Sequence, residues 1–333
     1  MQSRSATLIV AAFALFSLVL LPRLLYAASA PYKAVFTFGG LSERSGVLFV
    51  AKDAGIFQKH GLDAQIVNVR SGPIGMSALA SGETQFHVGS ATGASIGAMA
   101  GGLDLVFIAG LINKLDGAFV VTPSIRTPSD LKGKRIGLQS IGGGIWMFTM
   151  LALEHWGLSP ERDNIQLRVI GDQSVLAQAV ASDIIDGAYL GYTFGAQMER
   201  QGFRILADLA KLGIPYQGLG VMARRSFVDR SPDVAERALR ALVETIAFIN
   251  KPDNKAAVTK SLARGLRLQK VEDAAAGYAM MKILYDRRIY ASPDGLRNVL
   301  RLLGKSNESI RRLKVEDVVD DRIVRKLEKE GLF

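Results

Sequence analysis

VFTFGGLSERSGVLFVAKDAGIFQKHGLDAQIVNV, residues 35–69, contains one complete architectural unit. VFTF at 35–38 is a short β-rich apolar run that stops at Gly39 and Gly40. A helical stretch begins after Ser45 and runs through LFVAKDAGIFQKH to Gly61, and QIVNV is the next strand. Strands separated by that much helix cannot close a hairpin, so they lie parallel with the helix as crossover. The unit recurs: a turn at Ser71, Gly72 and Pro73, a helix carrying Met76 and Leu79, strand FHVGS, a small-residue helix from Ala91 to Ala100, and LVFIAGL. Such alternation predicts an α/β fold.

A second set begins after Pro128. Strand RIGLQ leads through SIGGG into a helix from Ile145 to Trp156. Strand QLRVI, a helix from Val175 to Ala181, strand GAYL, a helix from Phe194 to Arg200 and strand RILA follow. YQGLGVMAR reads as one more strand. Beyond it the chain turns helical, with helices expected at 232–250, 254–263, 271–285 and 293–304 and a last one from about 321. No low-complexity linker separates the two sets, so strands crossing between two lobes are expected rather than a tether.

Ahead of all this stand a basic residue, Arg4, an apolar run from Ala6 to Leu21 and the small residues Ala27, Ala28 and Ala30. That is the pattern of an export signal over 1–28, cut after residue 27 or 28, since Pro31 disfavours cleavage after Ala30. An uncleaved amino-terminal anchor is the alternative. Either way the expected compartment is the periplasm. No Cys follows the apolar run, which excludes lipid attachment.

The 333 residues contain no cysteine, which removes disulfides, thiolate metal sites and cysteine nucleophiles together. Losing Arg4 and Arg23 with the leader takes the formal charge from +10 to +8. Lys and Arg are scattered among acids rather than gathered in a patch, so no nucleic-acid partner is expected. His60, His87 and His155 show no metal-ligand spacing and read as surface or packing residues. There is no GxSxG elbow, P-loop or HExxH segment. No metal, cofactor or catalytic constellation is expected.

Small and hydroxyl-bearing residues instead collect at the carboxyl ends of strands, where an open α/β sheet forms its ligand crevice. Ser42 and Arg44 follow the first strand, Ser71 and Gly72 the second, and Ser90 and Thr92 the third. Ser140, Gly142 and Gly143 follow RIGLQ, and Tyr192 follows GAYL. In RIGLQSIGGGIWMF, glycines at a helix start would let an anion approach unpaired backbone N–H groups, or would simply make a tight strand-to-helix turn. Arg44 is the preferred charged partner for an anion, its alternative being a solvated loop arginine. Trp146, Tyr192 and Tyr216 are candidate cleft aromatics or packing residues, and Lys114 could approach the cleft near the lobe crossing.

The stretches LFVAKDAGIFQKHGLDAQIV, SALASGETQFHVGS, AGGLDLVFIAG, TPSDLKGKRIGLQ and RSFVDRSPDVAERALRAL occur in that order. In them the chain, from about residue 33 to 250, resembles the periplasmic solute-binding proteins of the nitrate, taurine and alkanesulfonate class of ABC importers. The resemblance implies a two-lobed type II periplasmic binding fold with hinge-strand crossings and a helical C-terminal tail. Lobe one would comprise 33–118 plus 217–333 and lobe two 119–216. It implies a monomer that captures a small, anionic organic solute and delivers it to an ABC permease and its ATPase. The contacts would come from Ser42, Arg44, Ser71, Gly72, Ser90, Thr92, Ser140, Gly142, Gly143, Tyr192 and Tyr216. Relatives often carry a Trp-Glu-Pro-like segment after the strand near 190, where this chain has GYTFGA. An enzyme on the same fold and a sensory ligand-binding protein are the alternatives.

Overall fold

A computed structural model describes residues 30–69 and 72–333. The expected leader with its cleavage position, and Ser71, lie outside the described residues. Among the described residues, no helix is long and apolar enough to cross a membrane.

Two five-stranded sheets form the frame. The first holds β1 (Tyr32–Phe38), β2 (Leu62–Asn68), β3 (Phe86–Gly89) and β4 (Leu105–Lys114). The second holds β5 (Ala118–Val121), β6 (Arg135–Leu138), β7 (Gln166–Val169), β8 (Gly187–Leu190) and β9 (Arg204–Asp208), and β10 (Pro215–Arg224) returns to the first. Their orders are β2-β1-β3-β10-β4 and β7-β6-β8-β5-β9. In each sheet three strands run parallel. An antiparallel strand arriving from the other sheet is wedged beside them, β10 on β3 and β5 on β8. One pattern is therefore built twice, and the chain passes between the copies at residues 115–117 and again just before β10.

The parallel strands form because Phe36, Phe86 and Val88 have no exposed surface to speak of. Phe36 packs on Phe57 and on Phe86 with ring centroids 4.8 Å apart in both pairs. Long helices cover the first sheet. The Pro232–Asn250 helix starts with Pro at its first turn and buries Val234, Ala238, Leu242, Ile246 and Ile249, a single stripe at helical spacing. Near the carboxyl end Val319 bridges Phe107, and the Asp320 N–H donates to the Phe107 carbonyl at 2.9 Å, which covers the β4 edge.

Two features depart from the sequence reading. The helix expected from Ser45 to Gly61 is two pieces, Gly46–Asp53 and Ile56–Lys59, because Gly55 takes a left-handed conformation at φ 69° and turns the chain. AFVV at 118–121 is a strand at the heart of the second sheet. All four residues are buried, so they lack the alternation that marks a half-exposed strand.

The Pro293–Gly304 helix lies directly on β10. A Cβ at Gly295 would come within 2.5 Å of the Gln217 nitrogen and the Tyr216 carbonyl carbon, backbone atoms that cannot swing aside. Gly295→Ala should therefore destabilise the protein: overpacking costs about 1–3 kcal/mol, against a helix-propensity gain of at most about 1 kcal/mol. A lower denaturation midpoint in urea at unchanged slope checks this.

Candidate ligand-binding site

The carboxyl ends of the parallel strands of both sheets open onto one cleft of about 790 Å³, its solvent-open mouth included. Of the residues expected there, Ser42, Arg44, Gly72, Ser90, Thr92, Ser140 and Gly143 line it. Three do not. Tyr192 turns its hydroxyl to Asp208 at 2.6 Å, and Tyr216, fully buried, donates to the Ala91 carbonyl at 2.7 Å. Gly142, at φ 72°, makes the turn, and its carbonyl would lie 3.2 Å from a Cβ on Gly93. Trp146 packs into the second core, and Lys114 donates to the Ile283 carbonyl at 2.9 Å.

Arg44 meets a different fate from a free guanidinium. It is 5% exposed and donates to Asp116, to the Gly218 carbonyl of β10 and, at 3.2 Å, to Ser90 Oγ. Asp116, wholly buried, sits in the segment that crosses from β4 to β5. The charge that sequence reading offered to a solute is thus matched inside the protein. Burial pulls the guanidinium down most strongly, but Asp116 together with Tyr189 and Tyr216 outweighs it and holds Arg44 above its ordinary range. Beneath Arg44 lies the Phe148 ring at 4.6 Å. Phe148 stacks on Tyr189 at 4.3 Å and meets the edge of Tyr216 at 5.2 Å. Burial pushes the Tyr189 phenol well up, so it stays neutral.

Glu43, with no exposed surface, reaches across to the second lobe. Its carboxylate accepts from the Tyr192 N–H at 2.8 Å, the Thr193 N–H at 3.3 Å and the Thr193 hydroxyl at 2.9 Å. It therefore caps the Tyr192–Arg200 helix from outside that helix, which explains why the helix starts two residues before the sequence pattern suggests. Other described helix starts near the strand tips are served too. Thr92 and Ser95 form a capping box for Gly93–Ala100, and Asp172 accepts from Ser174 and Val175 at the head of Gln173–Ala181. The Tyr285 hydroxyl accepts from the Val47 N–H at 3.0 Å. The Gly144–His155 helix, by contrast, has Gly143 at its N-cap and no side-chain cap, and Gly143, Gly144 and Ile145 line the cleft.

Sequence reading placed Glu43 at the strand tip without its role and missed Asp116, Phe148, Gln173 and Tyr189, whose roles come from contacts between distant segments; His87, read as a surface or packing residue, is buried. That imidazole lines the cleft at 5% exposure, with Nδ1 2.9 Å from Thr37 Oγ1. Burial lowers its pKa to about 4, so the ring is neutral.

With this geometry in view, the family described as NMT1/THI5 like matches residues 43–255, more than half of the chain. The taurine-binding periplasmic protein of Escherichia coli (strain K12) is 27% identical over 188 residues, 55% of this chain and 57% of that protein, so the match spans little more than half of the relative's length. A structure from Bordetella bronchiseptica RB50 superposes with a TM-score of 0.75 at 22% identity, covering 91% of this chain and 99% of that one. The alkanesulfonate-binding protein SsuA from Xanthomonas axonopodis pv. citri bound to MOPS does so at 0.70 and 19% identity, covering 88% and 99%. These superpositions confirm the two-lobed periplasmic binding fold.

Two tests follow from the site. Glu43→Ala leaves two N–H groups and a hydroxyl without a partner and should cost about 1–3 kcal/mol, read from urea unfolding. The pKa of His87 is depressed in the folded state, so the unfolded chain binds the extra proton between about pH 6.5 and pH 4. Stability should fall as pH drops through that window, by up to about 3 kcal/mol. His87→Gln should flatten that part of the pH profile.

Proposed function

This chain belongs to the NMT1/THI5-like family, and we propose that it is the extracytoplasmic solute-binding component of an ABC importer. On this reading it is exported by its leader, works in the periplasm as a monomer, and hands a small anionic organic solute to a permease and its ATPase. The observation that carries the reading is a helix start without a side-chain cap, Gly144 and Ile145, facing a cleft built from the strand ends of both lobes. Free N–H groups at a helix start attract an anion without any charged side chain. The taurine and alkanesulfonate proteins named above make sulfonates the first candidates, and nitrate or a carboxylate fits the same donors.

Lobe one would run over 33–118 and 217–333 and lobe two over 119–216, hinged where the chain crosses. Ser42, Ser90 and Thr92 from one side and Ser140 and Gly143 from the other would hold the solute. Closure then follows from differential affinity, because the closed state offers donors from both sides and the open state from one. Binding rather than turnover is supported by the fate of the candidate groups. The chain has no cysteine, Arg44 is spent on Asp116, and the His87 ring is held by Thr37.

Thermal unfolding of the chain, expressed with its leader and purified from the periplasm, tests the reading with taurine, MOPS, methanesulfonate, acetate and nitrate. At a hundred times its dissociation constant a bound solute stabilises the native state by about 2.7 kcal/mol. At least one of the five is expected to raise the melting temperature with saturation. Five flat responses overturn the anion reading.

A further inference from the structure

We infer that His87 is a solute-contacting residue of this cleft, whose Nε2–H donates a hydrogen bond to an oxygen of the bound molecule. The inference rests on the capture reading above and adds the residue that would distinguish among its solutes.

His87 stands in the short strand β3 between Phe86 and Val88, which face the core, so its ring points to the opposite face and the cleft. Thr37 of β1 is its register partner, and the two side chains meet across the ladder. The ring has room only because its neighbours are glycines. A Cβ at Gly75 would lie 2.7 Å from Cε1, and one at Gly89 would lie 2.7 Å from Nε2. An imidazole there is boxed in on two sides and fixed at Nδ1, with little freedom to turn.

The Thr37 hydroxyl has one proton and two acceptors, Nδ1 at 2.9 Å and the Phe86 carbonyl at 3.4 Å. Given to the nearer, at the expense of the Phe86 contact, it makes Nδ1 the acceptor and leaves the proton of the neutral ring on Nε2; given to Phe86, it would have Nδ1–H donate to Oγ1. Nε2 has no hydrogen-bond partner among the described residues. Nε2 is not among the sealed unpartnered atoms, so it keeps contact with the cleft, and an oxygen of a bound solute can take the place of water as its acceptor.

The test is a nitrogen-15 histidine spectrum of the periplasm-purified chain, simple because only three histidines exist. His87→Gln assigns the signal. The expected result is a neutral Nε2–H tautomer whose Nε2 shift moves on adding taurine, MOPS, methanesulfonate, acetate or nitrate, whichever binds, while His60 and His155 stay put. By calorimetry His87→Phe should weaken that probe about tenfold, the value of one lost hydrogen bond, and His87→Gln less, since its amide still donates. An Nδ1–H tautomer overturns the inference. So does binding that leaves the His87 signal unmoved, and the wild-type spectrum decides this even where a variant fails to fold. In either case the capture reading stands. If none of the five binds, the anion reading falls and this inference with it.

Discussion

Glu43 and Arg44 are adjacent, opposite in charge and both withdrawn from water, and the cleft takes its form from how those charges are met. An ion moved into the interior loses several kcal/mol of hydration that only close partners can offset. Arg44 finds Asp116 in the crossing segment and the Gly218 carbonyl of the returning strand, while Glu43 finds the backbone and hydroxyl at the start of a second-lobe helix. A three-residue turn after β1 is thereby tied to the second lobe and to the strands that join the lobes. These contacts use the chain's own atoms. On the capture reading they contribute to holding one lobe against the other whatever solute is bound, so a solute would need to supply only the remaining difference between open and closed.

On the capture reading, matching Arg44 internally also changes how the cleft would recognise an anion. A free guanidinium would offer a full positive charge and a bidentate grip. Here the charge beside Phe148 and Ser90 is cancelled by Asp116, and the open start of the Gly144–His155 helix offers about half an elementary charge through its N–H groups. Recognition by dipoles is more demanding of geometry than recognition by charge, since each N–H has a direction. On the capture reading, serine and threonine hydroxyls, which rotate to suit, then do the fine matching.

Much of the frame was legible in the residues. Alternating apolar runs and helical stretches marked nine of the strands and the long carboxyl-terminal helices, and strand-end hydroxyls such as Ser42, Ser90 and Ser140 located the cleft. What stayed hidden shares one cause. AFVV is buried on both faces and has no period to detect, and Asp116 is an ordinary loop acid until it is seen 72 positions from its arginine. Glu43 caps a helix 149 residues away. His87 resembles any lone histidine until the glycines around it are placed. Local pattern carries secondary structure, whereas charge pairing and caps made between distant segments are products of the fold.

The aromatic wall makes the same point about solute shape. Sequence alone leaves three aromatics as possible stacking surfaces, but Tyr192 and Trp146 face elsewhere and Tyr216 is sealed behind Phe148. Phe148 is itself engaged, by the Arg44 guanidinium, by the stacked Tyr189 and by the edge of Tyr216. A ring so occupied has little free face left for a ligand ring at the 4.5–7 Å spacing that aromatic pairs prefer. On the capture reading, the three contacts that occupy Phe148 therefore bias the cleft toward compact, non-aromatic solutes held by hydrogen bonds, with shape and oxygen placement doing the selecting.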